Sequence, residues 1–135
     1  VKVINKALGD GNNVKLSISN QFSGASSTMV TNTDSFSGMY EGSREIDVET
    51  ITFDDIVKTY IPGNDIELLK IDCEGGEYYL YDSEIFKTKN VKNIAGEFHN
   101  LSYNLNRESN WNYDDLTAYV KSNVDGDVKL SYLTL

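Results

Sequence analysis

Two hydrophobic periods divide this chain. Residues 66–71, Ile66-Glu67-Leu68-Leu69-Lys70-Ile71, form a short apolar run bounded by turn residues, which predicts a fully buried strand. Gly75-Gly76 turns the chain, and residues 77–86 then read as a helix that carries Tyr78, Leu80, Tyr81 and Ile85 toward a core. Residues 91–98 read as the next strand, ending at His99. Strand, helix and strand over this length form a βαβ unit, so the two strands are predicted to be parallel neighbours.

Upstream, Ile46-Asp47-Val48-Glu49-Thr50-Ile51 alternates like a half-exposed strand. Thr52-Phe53-Asp54-Asp55 matches a capping box with Asp in place of the usual Glu, so a helix starts there and continues its face through Ile56, Val57 and Tyr60. Pro62 ends it by disfavouring helix in the residue before. Residues 1–8 and 14–19 are β-prone and joined by Gly9-Asp10-Gly11-Asn12-Asn13, which reads as a hairpin. Residues 20–42 are rich in Ser, Thr, Asn and Gly, a loop long enough to act as a flap. Asn112 caps a last helix that buries Leu116, Tyr119 and Val120, and Asp125-Gly126-Asp127 turns into a final strand over residues 128–135. The fold class is α/β in one domain, with residues 1–52 β-rich around a long loop and residues 53–135 α/β.

At 135 residues and 39% hydrophobic content the chain supports one modest core. Twelve Lys and Arg against 21 Asp and Glu leave a net charge of −9, which repels phosphate backbones and anionic lipid. Neither nucleic acid nor membrane is expected as a partner. Cys73 is the one cysteine and has no internal disulfide partner. With no apolar run of about 18 residues and no secretion signal, a cytoplasmic location is the expectation. The chain opens Val1-Lys2-Val3-Ile4 inside an expected strand, which reads as a piece of something longer.

Candidate chemistry gathers at the strand ends. Asp72, Glu74 and Glu77 follow one strand of the parallel pair, and Glu97 and His99 close the other. Ligands of open α/β sheets bind beyond such carboxyl ends, so these five side chains are expected to border one crevice. Asp72 and Glu74 either work there or cap the turn, whereas Glu77 reads as an acid favoured at a helix start. Cys73 reads as a small core side chain, and Tyr78, Tyr79, Tyr81 and Trp111 as packing. Asp72, Glu97 and His99 offer mixed carboxylate and imidazole ligands that could serve a metal-dependent hydrolase, although their spacing matches no standard metal motif. A non-catalytic interaction or structural module is the other alternative.

The stretch Leu69-Lys70-Ile71-Asp72-Cys73-Glu74-Gly75-Gly76-Glu77 resembles the LKIDxEGxE signature of FkbM-type S-adenosylmethionine-dependent methyltransferases. Thr50-Ile51-Thr52-Phe53-Asp54-Asp55 is similar to that family's TxxLDD element, and Asn5-Lys6-Ala7-Leu8-Gly9-Asp10 to the "alsD" segment after its third strand. Gly24-Ala25-Ser26-Ser27 resembles its small-residue loop and Gly96-Glu97-Phe98-His99 the acidic end of its fifth strand. The matches run in order over most of residues 1–110.

The resemblance implies a partial Rossmann-like methyltransferase fold with a mixed sheet of order 3-2-1-4-5-7-6, the last-added strand antiparallel. Residues 1–8, 66–71 and 91–98 would be its third, fourth and fifth strands. The first two strands and the glycine-rich cofactor loop are expected upstream of Val1, since Gly75-Gly76 is too short to stand in for that loop. The implied reaction moves a methyl group from S-adenosylmethionine to a hydroxyl of a small-molecule or glycan acceptor, a sugar or secondary metabolite. Asp72, Cys73 and Glu74 would lie near the cofactor, either Asp72 or Glu74 would orient the hydroxyl, and Glu97 or His99 would act as base. The chain alone is expected to be inactive. Without its neighbour, the strand over residues 66–71 is expected to pair with an N-terminal strand, with the strand over residues 46–51, or with a second copy of the chain.

Overall fold

The computed structural model describes residues 1–19, 26–27, 44–63, 65–88, 90–100 and 112–134. Apart from Ser26 and Ser27, which form a strand, the expected flap and small-residue loop lie outside the described residues, as does Trp111. The strands are β1 (Ala7–Leu8), β2 (Asn13–Ile18), β3 (Ser26–Ser27), β4 (Arg44–Ile51), β5 (Leu69–Ile71), β6 (Ile94–Asn100) and β7 (Val128–Thr134). The helices are α1 (Phe53–Tyr60), α2 (Glu84–Lys87) and α3 (Tyr113–Asn123), with a 3₁₀ segment over Gly76–Asp82. The result is α/β with a mixed sheet ordered β1-β4-β2-β3 and an all-parallel sheet ordered β5-β6-β7.

In the mixed sheet the expected hairpin does not form. β4 lies between the two N-terminal strands, antiparallel to β2 from Asn13↔Glu49 to Ile18↔Arg44 and parallel to β1 at Ala7↔Thr50 and Leu8↔Ile51. The reason is visible at Thr50, whose buried hydroxyl organises the connection. It accepts the Gly11 N–H at 2.9 Å and donates to the Asn12 carbonyl at 2.7 Å, so residues 9–12 wrap β4 instead of folding β2 onto β1. A Cβ on Gly9 would sit 2.7 Å from the Thr50 Cβ, which is why the chain passes there as glycine. The Gly9-Asp10-Gly11 triplet follows a strand but leads into β2, so it lacks the helix N-terminus that a dinucleotide loop uses. The strand expected over residues 1–8 is reduced to Ala7–Leu8.

The expected helix start at Thr52 holds. Thr52 Oγ1 accepts the Asp55 N–H at 3.0 Å and α1 buries Phe53 and Val57, ending at Ile61 in extended backbone before Pro62. Asn112 likewise caps α3 through the Asp115 N–H at 2.9 Å, and α3 buries Leu116 and Val120.

In the parallel sheet the predicted βαβ pairing is present, with Leu69↔Ile94, Lys70↔Ala95 and Ile71↔Gly96 in register. The run 66–71 is not one buried strand, however. Only Leu69–Ile71 is ladder, Ile66 makes an isolated parallel bridge to Val91, and Leu68 is 60% exposed. Glu67 and Lys70 explain this, because both charges stay in water; Glu67 pairs with Lys92 at 2.8 Å. The next strand accordingly starts at Ile94, not at Val91.

The single helix expected over residues 77–86 is two pieces, the 3₁₀ segment and α2, split at Ser83. Ser83 is extended there and caps α2 by accepting the Phe86 N–H at 2.9 Å, while its own hydroxyl donates to Asp54 of α1. β7 runs parallel to β6 where the resemblance implies an antiparallel neighbour. Among the described residues β5 has no strand on its other side, because β1 and β4 pair with each other instead of with it.

Among the described residues the buried apolar side chains form one cluster that includes Val57 of α1, Tyr78 and Leu80 of the 3₁₀ segment, Phe86 of α2, Phe98 of β6 and Val120 of α3. Phe53 meets Phe86 edge to face at 6.1 Å, joining α1 to α2. Among the described residues no helix is long and apolar enough to cross a membrane.

A Cβ on Gly96 would lie 2.0 Å from the Ile71 carbonyl oxygen, so β5 approaches β6 only over a glycine. Gly96→Ala is therefore expected to cost about 3 kcal/mol or more through strand displacement, against about 1 kcal/mol for loss of the cap in Thr52→Ala. Urea midpoints of the two variants rank them; equal midpoints would show that β5 is not held as described.

Candidate functional site

β5 ends at Ile71, and the chain leaves it through Asp72 and Cys73 into two consecutive left-handed residues, Glu74 at φ 49° and Gly75 at φ 101°. Only Gly75 adopts that conformation without a side-chain cost, and the pair reverses the chain within one turn. The reversal aims two peptide N–H groups at one carboxylate. Cys73 N–H donates to Glu77 Oε1 at 2.9 Å and Gly75 N–H to Glu77 Oε2 at 2.8 Å. Glu77 is wholly buried and takes a third hydrogen bond, at 2.8 Å, from His99 Nδ1 at the end of β6. An ionised carboxylate only accepts, so Nδ1 carries the proton. His99 is itself 1% exposed, and its backbone carbonyl accepts the Tyr78 hydroxyl at 2.8 Å.

The remaining imidazole nitrogen, Nε2, lies 3.4 Å from Glu74 Oε2. Asp72, Glu74 and His99 each present one ligand atom, all within 4.8 Å of one another. Asp72 is exposed, with Lys70 Nζ at 3.4 Å, and Glu74 is partly buried. Glu97 is two residues before His99 on β6, hence on the same strand face, and is also partly buried.

These neighbours shift the proton affinities. Burial raises the Glu74 carboxyl above its ordinary range, and the charges of Asp72, Glu77 and Glu97 add to that against the opposing effect of His99. Burial by itself would lower His99, but the Glu77 hydrogen bond and the charges of Glu77, Glu74 and Asp72 outweigh it and raise the imidazole. Burial first, and the Glu77 charge second, push the Cys73 thiol to about 11, which fits an inert side chain packed against the core.

Asp72, Glu74 and His99 thus converge, with Glu97 close enough for its charge to act on Glu74. The convergent trio differs from the Asp72, Glu97 and His99 set read as a metal alternative, because the left-handed Glu74 brings its own carboxylate to His99 and takes the place of Glu97. Glu77 is more than the helix-end acid that sequence reasoning makes of it. Its hydrogen bond to Gly75 N–H is a cap, as expected, but its complete burial and its contact with His99 depend on a strand 22 positions away. A separate cleft of about 260 Å³, lined by residues including Asp10, Thr52, Asp54, Lys58, Tyr79 and Asp82, contains none of these groups.

A family model described as "Methyltransferase FkbM domain" matches residues 3–124. No curated protein and no solved structure matches the chain.

Both raised groups mean that the folded chain binds more protons than the unfolded chain, so their contribution to stability falls as pH rises. Glu74's share is complete below 4.5 and lost as pH climbs through its raised folded value; His99's is complete below 6.5 and lost through its own. The single histidine is expected to titrate by NMR with a midpoint above 6.5, and Glu77→Gln to lower that midpoint. A wild-type midpoint at or below 6.5 would contradict the Glu77 contact.

Cys73 is expected to resist a thiol-alkylating reagent at pH 8 in the folded chain and to react promptly in urea. Equal rates in the two states would place the thiol in water.

Proposed function

The chain belongs to the FkbM methyltransferase domain family, and we propose that its site serves transfer of a methyl group from S-adenosylmethionine to a hydroxyl oxygen of a sugar or similar small polyol-like metabolite. The observation that carries this reading is the convergence of Asp72, Glu74 and His99, with Glu97 adjoining, at the carboxyl ends of the parallel neighbours β5 and β6. In this reading β5 and β6 are the fourth and fifth strands of a partial Rossmann-like sheet.

The acidic mouth fits the cationic end of the cofactor, which supplies a methyl group on a sulfonium sulfur. Asp72, Cys73 and Glu74 form the segment beside that end. Asp72 and Glu74 accept hydrogen bonds from hydroxyls that neighbour the acceptor hydroxyl and so fix its line of attack, the role in which positioning contributes most. His99 is held by Glu77 on one nitrogen and faces Glu74 with the other, so it braces the site. Glu97 takes the hydroxyl proton as the oxygen–methyl bond forms and the methyl–sulfur bond breaks. With Gly9-Asp10-Gly11 leading into a strand, nothing among the described residues grips the rest of the cofactor in the usual way, and this chain alone is expected to bind it weakly.

The test is methyl transfer from labelled S-adenosylmethionine to a panel of sugars, run on the complete gene product. Glu97→Gln is expected to lower kcat by roughly 10²- to 10⁴-fold with the cofactor KM nearly unchanged. Full kcat in that variant would remove Glu97 as base, and transfer to no hydroxyl acceptor would remove the reading. For the 135-residue chain alone, calorimetry with S-adenosylhomocysteine is expected to give no micromolar binding; micromolar binding would contradict the weak-grip claim.

A further inference from the structure

We propose that Asp72, Glu74 and His99 form a binding site for one divalent first-row metal cation of the manganese or zinc type, at the mouth between β5 and β6. Three observations carry this, and none depends on the methyl-transfer reading.

The first is the donor set and its spacing. One imidazole nitrogen and two carboxylate oxygens lie within 4.8 Å of one another. The Nε2 to Oε2 distance of 3.4 Å is the edge of a tetrahedron whose metal–ligand bonds are about 2.1 Å, the length usual for zinc with nitrogen and oxygen donors. Asp72 closes the remaining gap by a rotamer change. It is exposed, and its contact with the exposed Lys70 at 3.4 Å is of the kind that contributes little.

The second is the support behind the histidine. A metal-ligating imidazole characteristically donates its other N–H to a carboxylate, which fixes the tautomer and aims the lone pair. Here Glu77, wholly buried and held by two peptide N–H groups, accepts from His99 Nδ1 at 2.8 Å. In the neutral ring Nε2 is therefore the nitrogen with a lone pair, on a side chain 1% exposed, and it faces the carboxylate of Glu74. At 3.4 Å the two atoms are bridged by a proton in the metal-free chain, and a cation would replace that proton.

The third is the charge count. Asp72, Glu74 and Glu77 surround a single imidazole. A proton on Nε2 leaves that group with an excess of two negative charges, whereas a divalent cation on the neutral ring leaves one. Imidazole in the set favours manganese, iron or zinc over magnesium or calcium, which prefer oxygen alone.

Three protein ligands would leave a tetrahedral cation a fourth position for a small molecule. If methyl transfer is the reaction, an acceptor hydroxyl bound at such a position would ionise more readily, leaving Glu97 to receive its proton. This last step rests on the proposed function; the binding does not.

The experiment is titration of the chelator-stripped chain with Mn²⁺, read by loss of the free-ion electron paramagnetic resonance signal, and with Zn²⁺, read by calorimetry. One ion per chain is expected, with affinity at least tenfold weaker in Asp72→Asn and in Glu74→Gln while circular dichroism stays native. Because His99 is the one histidine, nitrogen NMR with Zn²⁺ is expected to shift Nε2 and to leave Nδ1 protonated. Absence of stoichiometric binding, binding unaltered in both variants, or an unmoved Nε2 resonance would each overturn the site. A protein that transfers methyl groups yet fails these titrations loses the metal site alone.

Discussion

The carboxylate of Glu77 sits where no water reaches it, and a charge so placed persists only if donors replace its hydration. Three do so, and each constrains a different part of the chain. The Cys73 and Gly75 N–H groups can converge only if Glu74 and Gly75 both turn left-handed, so the route out of β5 is fixed. The His99 ring can reach it only if β6 lies beside β5 in the observed register. Removing one partner from a buried charged pair typically costs about 3–5 kcal/mol, a substantial share of a small domain's stability. The strand exit, the 3₁₀ segment and the end of β6 are in effect one unit closed around one anion.

That unit explains why so short a strand as β5 suffices. Its three ladder residues are supplemented by the Ile66 to Val91 bridge below and the Glu77 contacts above, and Gly96 lets its backbone come close. Glu67 and Lys70 can then remain in water without loosening the crevice. Tyr78 strengthens the closure by donating to the backbone of the same histidine that Glu77 holds by its ring.

Local chemistry was legible before any coordinates. Thr52 and Asn112 cap as their patterns indicate, and the parallel pairing of β5 with β6 follows from the βαβ spacing. What escaped was non-local. The position of β4 between β1 and β2 turns on the Thr50 hydroxyl, whose partners lie 38 and 39 positions away, and nothing in residues 1–19 announces it. The helix break at Ser83 arises from its hydrogen bond to Asp54 on α1. At the site, Asp72, Glu74 and His99 were recognisable as polar groups at strand ends. Glu77 is the exception, because an acid near a helix start has an adequate local explanation that hides a distant one. Matches to the FkbM pattern identified the family where periodicity alone gave only a fold class.

The acidity of the crevice also has a direction in time. If the proposed methyl transfer takes place there, the sulfonium reactant is positive and the thioether left behind is neutral, so carboxylates at Asp72, Glu74 and Glu97 would attract the reactant more than the product. The same charges would disfavour acceptors bearing carboxylate or phosphate. Carboxylates that cost the fold something to assemble would then favour binding before the reaction and departure after it.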